Sequence, residues 1–109
     1  GRSLADGQPL ALFRSVFPAD RLPGIAEALR ALSSVTAALA RCGVADYTRR
    51  STRIDARHAD ATQAARLMLD EGAALLRTVA VSVDPAGRPV EYGTTWFAGD
   101  RVTLTLAES

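Results

Sequence analysis

Leu75-Leu76-Arg77-Thr78-Val79-Ala80-Val81-Ser82-Val83 runs into Asp84-Pro85-Ala86-Gly87, and Val90-Glu91-Tyr92-Gly93-Thr94-Thr95-Trp96-Phe97 returns. The first run is rich in β-branched residues and the four that follow place proline and glycine where tight turns use them, so the two arms read as an antiparallel strand pair. Beyond Ala98-Gly99-Asp100, the segment Val102-Thr103-Leu104-Thr105-Leu106 alternates apolar and polar residues and predicts a last strand.

Upstream of the pair, Asp60 followed three residues later by Gln63 is a capping-box pattern. It opens a helix with Ala61, Ala64, Ala65 and Met68 at helical spacing, expected to run to Glu71-Gly72. Tyr47 to Ala56 alternates with strand periodicity and an unusually polar content. Before it, Ser33 or Ser34 caps the helix Val35-Thr36-Ala37-Ala38-Leu39-Ala40-Arg41, and Gly43 ends it. Leu22 to Arg30 predicts a further short helix with Pro23 in its first turn, where a missing N–H costs nothing. Near the start, Asp6-Gly7 between apolar runs is a tight-hairpin dipeptide. Only three residues precede Leu4, so the expectation is that the chain begins inside a strand, either because an upstream segment has been removed or because Gly1-Arg2-Ser3 are not native to it. The sum is an α+β domain, an antiparallel sheet packed with helices, because each β connection is a hairpin turn or a helix excursion rather than a regular βαβ series.

The 109 residues fit one domain, and 48% hydrophobic residues supply a core without disulfides or metal. Thirteen basic residues, all arginine, face twelve acidic ones interleaved throughout, so the charge gives no strong attraction to a nucleic-acid backbone. One cysteine, Cys42, and one histidine, His58, exclude an internal disulfide and cannot build a zinc site; both read as structural. No cofactor and no metal is expected. The single cysteine makes a reduced, cytoplasmic compartment the expectation, and the apolar stretches, short and interrupted by charge, predict no membrane span and no signal peptide.

Three stretches together carry a family resemblance: Leu4-Ala5-Asp6-Gly7-Gln8-Pro9, Ser34-Val35-Thr36-Ala37-Ala38-Leu39, and Gly87-Arg88-Pro89-Val90-Glu91-Tyr92 running into Trp96-Phe97-Ala98-Gly99-Asp100-Arg101. In order and spacing they resemble the UTRA domain, the ligand-sensing half of GntR-superfamily transcription regulators of the HutC type. The middle segment looks closest to the phosphonate-metabolism regulators of the PhnF type. The resemblance implies a chorismate lyase-like fold over residues 1–109, a pocket on one face of the sheet, and a homodimer. It also implies that an N-terminal winged helix-turn-helix, through which relatives reach DNA, and the first strand of the sensor are absent from this chain.

It further implies a ligand set. Ser34 and Thr36, at the start of the second helix, match positions that help hold a ligand phosphate in relatives, and Glu91 matches an acid that accepts hydrogen bonds from ligand hydroxyls or an amine. Thr95 and Phe97 follow on the same strand face as Glu91; relatives carry a tyrosine where Phe97 stands. Arg49 and Arg53, two residues either side of Ser51, offer planar forks suited to phosphate or phosphonate oxygens. Each residue has an ordinary alternative: a helix cap for Ser34, a solvated strand acid for Glu91, and arginines on an exposed edge strand paired to Asp46 or Asp55. Tyr92 and Trp96, on the other face, read as core, and Asp100 and Arg101 as organisers of the last turn.

Many relatives carry arginines just before the Leu-Ala-Asp-Gly turn and a glutamate after it; those places fall on Gly1, Ser3 and Phe13, with Arg2 one residue out of register. That departure weakens an aminosugar ligand and favours a smaller phosphorylated or phosphonate metabolite. The reading is therefore a non-enzymatic domain binding a small anionic metabolite to control DNA binding. Its alternatives are a chorismate lyase-like enzyme and a dimerisation module without ligand.

Overall fold

The computed structural model describes residues 1–107. The elements run β1 (Arg2–Ala5), β2 (Gln8–Val16), α1 (Ile25–Ala31), α2 (Val35–Arg41), β3 (Thr48–His58), α3 (Ala61–Leu67), β4 (Ala74–Val83) and β5 (Pro89–Ala98). The strands form one antiparallel sheet in the order β1-β2-β5-β4-β3, as the α+β reading predicts. They pass through two compact units, residues 1–14, 53–79 and 94 onward in the first, and 15–52 and 80–93 in the second.

In the first unit, Leu12, Ala59, Ala64, Leu67 and Leu75 form the core, with Leu69 and Trp96 packed against it. The Asp6-Gly7 turn joins β1 to β2 with both residues at positive φ, 49° and 78°, the backbone a two-residue hairpin requires. The β1–β2 register shifts between Ser3 and Leu4, leaving Arg2 opposite Leu12. Paired residues of neighbouring strands point the same way, so Arg2 lies on the side of the Leu12 core, and its guanidinium donates to the Arg66 carbonyl of α3 at 3.3 Å.

α3 begins as its capping box dictates: the Asp60 carboxylate accepts from Gln63 N at 2.8 Å and the Gln63 side chain accepts from Asp60 N at 3.1 Å. Its end corrects the sequence reading. The helix closes at Leu67 because Met68 turns left-handed (φ 55°, ψ 52°), well before Glu71-Gly72. The buried face is consequently Ala64 and Leu67, while Ala65 and Met68 are exposed.

In the second unit, Leu22, Ile25, Ala28, Ala38, Leu39 and Val90 are buried together, with Val44 and Tyr47 among the residues packed on them. Fully burying a leucine such as Leu39 contributes about 1.5–3 kcal/mol, so this cluster fixes α1 and α2 against β5. α1 starts at Ile25, behind a left-handed Gly24, which places Pro23 ahead of the first turn rather than inside it. α2 starts at Val35 with Ser34, one of the two serines expected there, as its N-cap, and ends through Gly43. The Asp84–Gly87 turn is a three-residue hairpin loop: Gly87 N donates to Asp84 O, Asp84 N donates to Arg88 O, and Gly87 takes φ 82°.

Two further expectations are corrected. Residues 102–106 are not a strand: alternation supplies a face, but a strand also needs a paired neighbour, and Leu106 is left 88% exposed. Tyr92 is not core; it lies outside the cluster that holds Val90 and is half exposed, whereas Trp96 packs as expected.

Candidate functional site

Ser34, Thr36, Arg49 and Glu91 belong to the second unit, and Arg53, Thr95 and Phe97 to the first. Ser34 holds an extended backbone before α2, and its Oγ accepts from Ala37 N at 3.2 Å. The cap role is therefore in place, and the hydroxyl proton remains available. Thr36 Oγ1 lies 2.7 Å from Tyr47 Oη, which ties the first turn of α2 to the loop that leads into β3. Tyr47 was invisible as a partner in the sequence, since it sits eleven residues on with no periodic relation to Thr36.

Arg49 and Arg53 are both exposed on β3, the edge strand, all eleven residues of which are exposed. The expected pairing of these arginines to Asp46 or Asp55 does not occur. Asp55 is taken instead by Arg77, through two hydrogen bonds of 3.0 and 2.7 Å, and by Arg57 at 3.0 Å. Those two guanidinium groups, Arg77 first, hold the Asp55 carboxyl down to about 2. Neither Arg49 nor Arg53 makes an ion pair or side-chain hydrogen bond among the described residues.

Glu91 is half-buried and accepts from Ser15 Oγ at 3.0 Å, a second partner the sequence did not reveal. The pleat of β5 sets Glu91, Gly93, Thr95 and Phe97 on one side of the strand, and Thr95 and Phe97 are half-buried. Arg101 is structural, but its guanidinium does not organise the last turn: it donates to Pro9 O, Leu67 O and Met68 O, distant in the chain, at 2.9, 2.6 and 2.9 Å. His58 Nδ1 lies 3.1 Å from Gly72 O, and the Cys42 thiol donates to Pro23 O at 3.5 Å.

The second unit also contains a cavity of about 540 Å³ between residues 42–46 behind α2, the 84–90 hairpin turn, and Pro18, Arg21 and Leu22. None of the seven predicted residues lines it. Among the described residues no three His, Cys, Asp or Glu side chains cluster to hold a metal, and no helix is long and apolar enough to cross a membrane.

The family model of the UTRA domain matches residues 2–103. An uncharacterised helix-turn-helix transcriptional regulator of Rhizobium meliloti (strain 1021) is 47% identical over 104 residues, covering 95% of this chain and 43% of the relative. The effector domain of PhnF from Mycobacterium smegmatis is 30% identical with a TM-score of 0.82, covering 95% of this chain and 64% of that one. A GntR-family transcriptional regulator from Enterococcus faecalis V583 is 25% identical with a TM-score of 0.78, covering 98% and 76%. The chain belongs to the UTRA domain family. It spans less than half the length of the Rhizobium regulator.

Proposed function

We propose that the chain is the effector-binding and dimerisation domain of a GntR-superfamily regulator of the HutC type, acting in the cytoplasm without catalysis. A helix-turn-helix segment N-terminal to the 109 residues would carry the DNA contact. The observation that carries this reading is the match of the UTRA family across residues 2–103, joined to the likeness to the PhnF effector domain.

The effector is a small anion bearing a phosphate or phosphonate. In the second unit Arg49 has its donors uncommitted and is suited to its oxygens, Ser34 and Thr36 supply hydroxyls, and Glu91, steadied by Ser15, receives a hydroxyl or amine; Arg53, likewise uncommitted, and Thr95 and Phe97, all in the first unit, are candidates on the family resemblance alone. Arg2 pairs with Leu12 and so lies on the core side of the sheet that Trp96 also faces, away from Thr95 and Phe97, and is not placed to substitute for the arginines that relatives carry before the first turn. Control follows from differential affinity: an anion that prefers one arrangement of a dimer by about 3 kcal/mol changes its occupancy by roughly two orders of magnitude.

Thermal shift against alkylphosphonates, phosphate esters and aminosugar phosphates tests the reading. A ligand at 100 times its dissociation constant stabilises the fold by about 2.7 kcal/mol. Phosphonates and simple phosphate esters are expected to raise Tm more than aminosugar phosphates, and Arg49→Gln or Arg53→Gln to weaken binding about tenfold each. A flat response across all three classes would leave dimerisation alone, a reading that the exposed Phe13 favours. Incubation with chorismate is expected to give no product; turnover would replace the sensor with an enzyme.

A further inference from the structure

The cavity behind α2 plays no part in the reading above, and its lining has a charge pattern of its own. Leu22 and Val90, both 2% exposed, and the partly buried Val44 give it an apolar floor. On the hairpin side, Arg21 donates through one terminal nitrogen to the Pro89 carbonyl, and Arg88 donates through Nε to Asp84. A guanidinium has five N–H donors, so each arginine is tethered by one edge and retains others uncommitted among the described residues.

Asp84 is largely committed within its own turn and already pairs with one cation, Arg88. Its carboxylate already accepts from Ala86 N, Arg88 N and Arg88 Nε at 3.0, 2.9 and 3.1 Å. Asp46, in the segment that follows α2, has no such partner and leaves a free carboxylate on the cavity. A simple anion would satisfy the two arginines and leave Asp46 beside a like charge. A simple cation would do the reverse. A molecule with both charges and a short apolar body satisfies the arginines, the carboxylate and the floor together, and the volume falls within the range of small-molecule sites.

We infer that this cavity binds a short-chain amino acid, its carboxylate on Arg21 and Arg88 and its ammonium on Asp46. The site is independent of the proposed effector residues, none of which lines it.

Calorimetric titration of the 109-residue chain with glycine, L-leucine, γ-aminobutyrate and δ-aminovalerate tests the inference. At least one is expected to bind, with valerate and pentylamine weaker by about tenfold or more, because each lacks one of the two charge-assisted contacts. Asp46→Asn and Arg88→Gln are each expected to weaken binding about tenfold, while Glu27→Gln, on exposed α1 surface, leaves it unchanged. Cys42 lines the cavity and is the chain's one cysteine, so a saturating amino acid is expected to slow its alkylation at least about fivefold. Absence of binding by all four amino acids, full affinity in Asp46→Asn, or alkylation indifferent to the ligand would each overturn the site. Neither Arg49 nor Arg53 enters these measurements, so the effector reading can fail or survive separately.

Discussion

The C-termini of α2 and α3 close with the same pair of backbone hydrogen bonds and differ in everything that supports them. In α2, Gly43 N donates to Ala40 O and Val44 N to Leu39 O, at 3.1 and 2.9 Å; in α3, Met68 N donates to Ala65 O and Leu69 N to Ala64 O, at 3.4 and 2.9 Å. The left-handed position is a glycine at φ 91° in the first and a methionine at φ 55° in the second. A side chain in that conformation costs roughly 1–2 kcal/mol, which glycine avoids. α3 offsets the cost from outside itself: Arg2 donates to the Arg66 carbonyl, and Arg101 donates to those of Leu67 and Met68. An end made with glycine is locally sufficient. One made with methionine depends on arginines distant in the chain.

The largest effect expected from breaking this arrangement is at Arg101. Arg101→Ala removes three charge-assisted bonds, including the one to Pro9 O on β2, two of them in a partly buried setting. Such bonds contribute about 1.5–3 kcal/mol each but not additively, so a loss of about 3 kcal/mol is expected, on the order of 15 °C in Tm. Arg101→Lys recovers less than half, since an ammonium cannot span three carbonyls as a planar fork does. A fall in Tm of only a few degrees for Arg101→Ala would show that α3 holds its end without help.

The two helix ends also mark the limit of what the sequence made legible. Gly43 announces its helix end because the residue type required there is the one present. Nothing in Met68-Leu69-Asp70 announces an end; the apolar spacing continues through Met68, and the stop depends on Arg101 arriving from more than thirty positions away. The same distinction runs through the candidate site. Ser34 as a cap, the Asp60–Gln63 box and both hairpin turns are local and were readable, whereas Ser15 on Glu91, Tyr47 on Thr36 and Arg77 on Asp55 are long-range pairings that no spacing rule encodes. Residues 102–106 fail from the opposite side: a local pattern without a tertiary partner does not become a strand.

Two intermediate effects sharpen the contrast at the left-handed residues themselves. Gly43→Ala meets no steric obstacle, since a methyl there faces open space, yet the backbone at φ 91° opposes it, and a loss of about 1–2 kcal/mol is expected. Met68→Gly is expected to act in the other direction. Met68 is 69% exposed and gives up little packing, so relief of the backbone outweighs the added freedom of the unfolded chain, for a gain of about 0.5 kcal/mol. Denaturant midpoints at unchanged slope measure both. If Met68→Gly is destabilising, the methionine is contributing contacts that its exposure does not suggest.

The smallest effect separates two uses of arginine within the first unit. Arg101 donates to carbonyls, which do not titrate, so the decrement caused by Arg101→Ala is expected to stay constant from pH 7 to pH 2. Arg77 and Arg57 donate to Asp55, a carboxyl whose ordinary value of 3.8 is lowered to about 2. A group with a depressed folded pKa contributes stability that is complete above its unfolded value and lost as pH falls through the folded one. The decrement caused by Asp55→Asn should therefore be full at neutral pH, shrink between about pH 4 and pH 2, and vanish below. Because Asp55 is exposed, salt should shrink it as well, while the Arg101 decrement, made by direct hydrogen bonds in a partly buried setting, resists salt. Unfolding midpoints of the two variants against pH, at low and high salt, read both dependences at once. An Asp55→Asn decrement that persists at pH 2 would mean that Asp55 acts through something other than its charge, and the two arginine roles would then not be distinct.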